Sequence, residues 1–339
     1  MKNVIYLLLS VLMIACNQNP SPVISGEEAS KKADPIKPDH YLTSDQTHNK
    51  FSAAIPPVLT IESGDIVDVY TQEASAGQIH CGDDVSVLEN LKFDPIHPLT
   101  GPVYINGAAP GDVLKVTLLE IELVDCGWNS ILPGFGFLAD KFVEPYLKTY
   151  PMQKGDTHIQ FNEKISVPLR PFPGVMGVAP KTKEMLSTIP PRENGGNMDD
   201  PHMVEGTSIY FPVFVEGALF SIGDAHAVQG MGEVCGTAIE APMHITYQVE
   251  LIKGGRQLRE PEYESDNFYA VTSIGKTIDE AARKAVEYMV DYLVAEHGLE
   301  KNEAYALCSL AGDLKIAEVV DVPNMMVAMH MSKEILGME

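Results

Sequence analysis

The sequence predicts a mainly β protein with an α/β part, in which an antiparallel β-sandwich-like domain is followed by a smaller α/β domain. After residue 50, segments of alternating apolar and polar residues recur and are separated by glycine-containing turns, which is typical of antiparallel sheets. No long helical pattern separates these strands, which argues for an antiparallel sandwich or barrel rather than a parallel, doubly wound sheet. Regular helical spacing begins only near residue 277, so we expect the architecture to change towards the end of the chain.

The first segment, residues 1–16, has the features of a secretory signal. Lys2 precedes an apolar run over residues 4–14, which is too short to span a membrane as a mature helix. The Met-Ile-Ala-Cys ending resembles a bacterial lipoprotein signal, so we expect a lipid on Cys16. This predicts an exported protein of the cell envelope that contacts the membrane only through that lipid. The alternatives are a plain secretory signal, cut nearby, and a buried apolar segment.

Residues 17–50 are predicted to be a flexible tether, because Pro, Ser, Asp and Lys are frequent and large apolar side chains are few. Residues 51–255 follow as the β-sandwich-like domain. Its clearest strand patterns lie at 58–72, which alternates around Gly64, and at 111–124.

The final segment, residues 256–339, is predicted to form the α/β domain. Thr277 and Glu280 fit a capping box, and apolar residues then recur at helical spacing until Gly298. A second helix over 302–310 and a strand over 314–320 complete the prediction.

Charge and cysteine content exclude several classes of protein. The chain has 47 acidic and 24 basic side chains, a formal net charge of -23, so it should repel phosphate backbones and bind no nucleic acid. It contains no nucleotide-binding glycine loop. Beyond the first segment, an exported chain of this length permits disulfides but does not need them, so no obligatory bridge is predicted among its four cysteines: Cys81, Cys126, Cys235 and Cys308.

Chemically active side chains concentrate in residues 190–243. Asp224 and His226 follow an apolar strand pattern that stops at Gly223, and an extended backbone would point both to one side. Carboxylate and imidazole are ligands of a divalent cation such as zinc. The plain alternative is a hydrogen-bonded histidine in ordinary turn chemistry.

Three further groups of polar residues are candidates for the same site. Glu233 and Cys235, beyond a glycine turn, could supply a ligand, a general base or a nucleophile, although a small buried cysteine is the simpler interpretation. A second glycine loop carries Glu193, Asn194 and Asn197, and its alternative is a solvated hairpin turn. His80 in a third loop could add a ligand, with a surface turn as its alternative.

Several long strings in this sequence resemble the acetamidase/formamidase family of amide hydrolases. The resemblance extends over about residues 51–336, and it implies a metal-supported hydrolase of small linear amides with a β-sandwich-like part and a smaller α/β part. The matching strings are HPLTGPVYINGAAPGDVL (97–114), PGFGFLAD (133–140), GVMGVAP (174–180), RENGGN (192–197) and LFSIGDAHAVQGMGEVCGTAIEAPM (219–243).

On this basis we expect Asp224 and His226, with Glu193 or Glu233, to hold a divalent metal, zinc being the first choice. The metal would polarise the amide carbonyl and activate water. Glu233 is also the candidate proton shuttle.

The remaining candidates have smaller or alternative roles. Asn194 and Asn197 would orient the small amide substrate, and His80 is kept as an additional metal ligand. Two alternatives stay open: a thiol mechanism with Cys235 as nucleophile, and a non-catalytic surface binding lipoprotein on the same fold. We also expect a homo-oligomer.

Overall fold

The computed structural model describes residues 35–338 of the chain. Lys37–Glu339 form one compact unit. The predicted signal segment, Cys16 and residues 17–34 of the predicted tether lie outside the described residues. Within those residues, none of the helices has the length and apolar character needed to cross a membrane.

The described residues form short strands and two α-helices, together with a 3-10 helix at Val85–Asn90. The strands are β1 (His40–Leu42), β2 (Thr47–His48), β3 (Lys50–Phe51), β4 (Leu59–Ile61), β5 (Ile66–Thr71), β6 (Leu99–Ile105), β7 (Val113–Leu123), β8 (Gly127–Ile131), β9 (Tyr146–Tyr150), β10 (His158–Gln160), β11 (Ser166–Pro168), β12 (Phe172–Gly177), β13 (Leu186–Ser187), β14 (Gly195–Asn197), β15 (Ser208–Pro212), β16 (Phe220–His226), β17 (Met243–Ile252), β18 (Glu262–Glu264), β19 (Phe268–Gly275), β20 (Gly312–Glu318) and β21 (Met325–Ser332). The helices are α1 (Ile278–His297) and α2 (Lys301–Ala311).

Two large sheets organise these strands. The larger has the order β1-β5-β17-β7-β15-β18-β19-β21-β20, and the smaller has the order β14-β12-β16-β6-β2, with β4 also paired to β6. Most neighbours are antiparallel, as predicted, but β1–β5 and β4–β6 are parallel pairs. The strand pattern predicted at 58–72 forms two strands, β4 and β5, separated by a turn at Gly64, where φ is 104°. β4 belongs to the smaller sheet and β5 to the larger one.

Buried apolar side chains from both sheets form one continuous core. Val69 and Val116 of the larger sheet belong to the same cluster as Val103, Phe220 and Ile222 of the smaller one. The mainly β class is therefore confirmed. The sandwich-like packing of the sheets stays a prediction, which this shared core supports.

The N-terminal part of the fold begins earlier than predicted. β1 pairs with β5 from His40↔Val67 to Leu42↔Val69, and β2 pairs with β6 through Thr47↔Thr100. Residues 40–50 are therefore not a tether, which corrects the boundary at residue 51. These strands are two or three residues long, and backbone pairing at sheet edges holds them, so composition gives little sign of them.

The C-terminal segment extends the larger sheet instead of forming a separate sheet. β18 pairs with β15 from Ser208↔Glu264 to Tyr210↔Glu262, so the predicted boundary between residues 255 and 256 falls within one compact unit. Both predicted helices are present, and α1 begins at its predicted cap, where the Thr277 side chain accepts from Glu280 N. The helices pack on β19 and β21 through a second apolar cluster.

A disulfide joins Cys81 to Cys126, with 5.6 Å between their Cα atoms. The cysteine spacing does not anticipate this pair. The bridge ties the loop before the 3-10 helix to the start of β8. Beside it, Ala74, Ile79 and Trp128 form a small apolar cluster.

Candidate active site

The site is built around the end of β16, where Asp224 and His226 are almost completely buried. His226 Nε2 lies 3.7 Å from Asp224 Oδ2, so the structure brings the predicted pair together. β12 runs antiparallel alongside, with Phe172 opposite His226. The edge of the Phe172 ring packs against the imidazole at 5.1 Å between ring centroids, which fixes the plane of His226.

Other elements bring buried carboxylates to the same place. Asp199 follows β14, Glu233 and Glu240 lie between β16 and β17, and Asp321 follows β20. Glu240 Oε2 lies 3.1 Å from His226 Nε2. The potential metal ligands lie within 4.8 Å of one another in three overlapping groups: Asp199, Asp224 and His226; His226, Glu233 and Glu240; and Asp199, Glu233 and Asp321.

Gln229 fixes the orientation of His226. The Gln229 amide donates to Asp199 O at 2.6 Å, so its oxygen faces His226 Nδ1 at 2.9 Å. An amide oxygen can only accept, so Nδ1 carries the hydrogen. Burial acts to lower the pKa of His226, but Glu240 and Asp224, which face Nε2, outweigh burial and raise that pKa well above its usual value. Nε2 is the nitrogen that becomes free when the imidazole is neutral. Metal-binding histidines are commonly oriented by such a bond from the other nitrogen.

Several oxygens of this cluster have no hydrogen-bond partner although they are buried. They include both carboxylate oxygens of Asp199, Asp224 Oδ1 and Glu240 Oε2. An unpaired buried carboxylate oxygen is costly, and removing the charge or binding a cation relieves that cost. The donor set therefore fits a divalent cation, with imidazole and carboxylate ligands of the kind that zinc takes.

Burial raises the pKa of most of these carboxyls. Glu233 has a pKa well above its usual range because of burial and then the charge of Asp199. Burial, partly offset by His226, raises the pKa of Glu240 to about 7. Asp224 is the exception: burial acts to raise its pKa, but His97 and His226 outweigh burial and lower that pKa to about 2. A protein-bound cation would favour the ionised form of every carboxyl in the cluster.

Three of the site carboxylates lie on strained backbone. Asp199, Asp224 and Glu233 have φ values of 42°, 50° and 46°. Non-glycine residues rarely occupy this left-handed region, and each such residue costs about 1–3 kcal/mol unless its surroundings hold it there. Strain of this kind concentrates at functional sites.

The cluster forms one wall of a cavity of about 50 Å³. The acidic wall includes Asn197, whose Oδ1 has no partner. Apolar side chains, among them Ile96, Trp128 and Phe135, line the remainder. A cavity of this volume holds only a few water-sized groups, so it suits a very small polar molecule.

The glycine loop at 192–197 contributes only its last residue to the cavity. Asn197 Nδ2 donates to Asp321, which holds its side chain at the cluster. Paired backbone bonds between Arg192 and Gly195 close a hairpin turn with Glu193 and Asn194 at its tip. Glu193 is exposed there and does not line the cavity, so the hairpin-turn alternative describes it correctly.

Asn194, Cys235 and His80 also lie outside the metal-ligand groups. Asn194 is buried, but its amide donates to Val178 O at 2.7 Å and is absent from the cavity wall. Cys235 is half-buried and lines a separate cavity of about 260 Å³, which it shares with Glu233. The His80 side chain is 73% exposed and lies 3.6 Å from Asp83 in its own turn, which corrects its assignment as a ligand.

Several site residues are missing from the sequence-based set. Asp199 and Glu240 lie in the stretch that the sequence singles out, and the glycine loop before Asp199 is the one local signal that could have found it. No local sequence pattern marks the other three residues. His97 and Asp321 reach the cluster from distant segments, and Gln229 reaches it through its hydrogen bond to His226.

A family model described as the Acetamidase/Formamidase family matches residues 35–187 and 181–338. The chain belongs to this family. The resemblance predicted from the sequence strings is thereby confirmed. So is the enzyme class, because curated relatives carry the names acetamidase and formamidase, which are hydrolases of C-N bonds in linear amides.

Three relatives illustrate the extent of the similarity to the acetamidase/formamidase family. An acetamidase of Mycolicibacterium smegmatis is 30% identical over 62% of this chain and 67% of its own length. A formamidase of Methylophilus methylotrophus is 25% identical over 86% of this chain and 89% of its own. The crystal structure of a predicted acetamidase/formamidase from Thermoanaerobacter tengcongensis has a TM-score of 0.82 and 33% identity, and the match covers 88% of this chain and 97% of that one.

Proposed function

We propose that this family member hydrolyses the C-N bond of small linear amides, such as formamide or acetamide, to a carboxylate and ammonia with the help of a divalent cation. The observation that carries the proposal is a group of buried, partly unpaired carboxylates that lines a very small cavity and contacts buried His226. The small volume favours amides with short acyl groups. The names of the relatives support the same substrate class.

Asp224 and His226 are the proposed cation ligands, as expected from their spacing, and Asp199 takes the third position that the sequence assigned to Glu193 or Glu233. These three residues form one of the ligand groups, and Asp199 and Asp224 contribute three unpaired oxygens to it. When bound there, a divalent cation, zinc by the donor set, would supply a Lewis acid for the amide carbonyl and lower the pKa of water.

Glu233 is the proposed carrier of protons between water and the leaving amine. Its carboxyl lines the cavity, and burial raises its pKa well above the usual range, which favours the protonated form. Amide hydrolysis needs such an acid, because an amine leaves readily only after protonation. Asn197 would accept a hydrogen bond from the substrate N–H through its unpaired Oδ1, which orients the amide within the cavity.

Metal removal tests this proposal directly. Protein freed of metal by a chelator should lose ammonia release from formamide and acetamide, and added zinc should restore it. A panel of amides of increasing acyl length should show declining turnover as the substrate outgrows the cavity. Full activity in a sample verified as metal-free by elemental analysis would contradict the mechanism.

Export and lipid anchoring at Cys16 remain part of the proposal. The Cys81–Cys126 disulfide supports export, because such bonds persist mainly in oxidising compartments. Cells grown with a labelled fatty acid should yield labelled protein, and Cys16→Ser should abolish the label. An unlabelled wild-type protein would favour the plain secretory signal.

A further inference from the structure

A second polar network lies directly behind Asp199. Its centre is Asp200, which is fully buried and adjacent in sequence to Asp199. Asp200 Oδ1 faces His202 N at 3.0 Å and His202 Nδ1 at 2.9 Å, and Asp200 Oδ2 faces Tyr263 OH at 2.5 Å. Tyr263 OH also lies 2.7 Å from His330 Nε2. The network thus connects the loop that carries Asp199 to strands β18 and β21.

The direction of every hydrogen bond in this network follows from the chemistry of its groups. The ionised Asp200 carboxylate only accepts, so His202 and Tyr263 both donate to it. Tyr263 has a single hydroxyl hydrogen, and that hydrogen is already used. His330 Nε2 must therefore donate to the Tyr263 oxygen. The result is a one-directional chain from His330 through Tyr263 to Asp200.

Contacts of other residues must stabilise the backbone conformation of Asp199, because its own side chain forms no hydrogen bond that could do so. Its backbone is in the left-handed region, and both of its carboxylate oxygens lack partners. Its backbone N donates weakly to Gly174 O at 3.2 Å, and its carbonyl accepts from Gln229. The neighbouring residue Asp200 is held more firmly, because its carboxylate accepts three hydrogen bonds. Such strain persists only where neighbouring contacts over-determine the backbone.

We infer that Tyr263 and His330 are positioning residues, which hold Asp199 in its strained conformation through Asp200 so that its carboxylate is ready to bind the cation. The inference rests on the proposed metal-supported function. It adds two residues from the C-terminal strands to the residues that determine metal affinity. Contacts of this kind typically change metal affinity by about 10- to 100-fold.

The network itself is better explained as support than as a second metal site. Asp200, His202 and His330 also lie within 4.8 Å of one another. This network differs from the cluster at His226, however, because its polar atoms already form hydrogen bonds with one another. These atoms are the oxygens of Asp200, the hydroxyl of Tyr263 and the bonded nitrogens of the two histidines. No atom of these residues is among the unpaired buried atoms of the described chain. A cation would have to break bonds that already exist.

The test compares two fully buried tyrosines. Tyr263→Phe removes the hydroxyl that donates to Asp200, whereas Tyr247→Phe removes a buried hydroxyl without a partner and serves as the matched control. Zinc affinity of each metal-free protein would be measured by competition with a chromogenic chelator, and thermal unfolding would be measured in parallel. We expect a 10- to 100-fold weaker zinc affinity for Tyr263→Phe and no change for Tyr247→Phe.

A second variant covers the case in which Tyr263→Phe does not fold. His330→Leu leaves the Tyr263–Asp200 bond in place but removes the donor behind it, so a smaller loss of zinc affinity is expected. Unchanged zinc affinity in the folded variants, even with a lower melting temperature, would overturn the inference. Two zinc ions per wild-type chain, one of them lost in Tyr263→Phe, would overturn it in favour of a second metal site. A wild-type protein that binds no zinc would instead refute the proposed function itself.

Discussion

His226 has a defined hydrogen-bonding pattern that leaves one nitrogen for a cation. Its Nδ1 is occupied by Gln229, and its Nε2 faces two carboxylates. His226→Ala should therefore remove bound metal and turnover together while the β-rich fold is retained, because one ligand is lost without opening the core. Elemental analysis and ammonia release would be measured on the same sample. His244→Ala, at a partly exposed histidine on β17, is the control. Normal metal content with normal turnover in His226→Ala would end the assignment.

Glu233 and Glu193 form a natural pair for a test of proton transfer. Both are candidates from the sequence, but only Glu233 lines the cavity, whereas Glu193 is exposed at a turn. Glu233→Gln should lower kcat by about 10²- to 10⁴-fold with metal retained, because the amide cannot exchange a proton. Glu193→Gln should behave as wild type. Steady-state kinetics with acetamide would decide, and equal effects of the two substitutions would contradict the role of Glu233.

Cys235 provides the test of the thiol alternative. Its sulfur lies 3.4 Å from Thr237 O, and the residue lines the separate cavity of about 260 Å³ and belongs to none of the ligand groups. Cys235→Ser should therefore keep most of the turnover. A loss as large as that expected for Glu233→Gln, together with a covalent acyl adduct on Cys235 in the wild type, would support the thiol mechanism instead.

At the scale of elements, strand β12 allows the cluster to form because it has no side chain at Gly174. A Cβ added there would lie 2.5 Å from Asp199 Oδ1 and 2.7 Å from His226 Cε1. Gly174→Ala should displace both residues, abolish zinc binding and destabilise the fold by about 1–3 kcal/mol. Gly230→Ala is the matched control, since its added methyl group meets no atom within 4 Å. Zinc titration and denaturant unfolding would be measured for both, and zinc binding by Gly174→Ala as in wild type would contradict the expectation.

Sequence reasoning succeeded at elements whose signal is local. The cap at Thr277 depends on residues within one turn. Asp224 and His226 lie two apart and the structure brings them together, although the left-handed backbone at Asp224 departs from the extended conformation that the spacing argument assumes. Glu193 and Asn197 show the limit: they share a glycine loop, but a tight hairpin turn exposes the first and buries the second. His80 is near the disulfide in sequence and has no part in the cluster. Such outcomes depend on backbone geometry, which composition does not specify.

At the scale of the whole molecule, the predicted separation into two domains fails because sheet pairing is non-local. β15 and β18 join across the expected boundary, and no periodicity in either segment indicates its partner. The positions of Asp321 and His97 at the cluster could not be predicted for the same reason. The larger sheet instead continues across that boundary through β18, β19, β21 and β20.

The Cys81–Cys126 disulfide should contribute to global stability. It links residues 45 positions apart, so it limits the freedom of the unfolded chain. Replacing both cysteines by serine should lower the free energy of unfolding by about 2–4 kcal/mol. Urea titration without reductant would measure the change, with Cys308→Ser as a single-cysteine control. An unchanged midpoint would show that the bridge adds no stability.

The position of Asp321 in the chain sets the order of events during biosynthesis. Residues from His97 to Asp321 must all leave the ribosome before the full cluster can assemble, because Asp321 is synthesised well after His226. A nascent chain that has not yet exposed Asp321 therefore lacks one carboxylate of the complete cluster. Under the proposed metal-supported function, the compartment in which the complete chain folds would supply the ion that the protein carries.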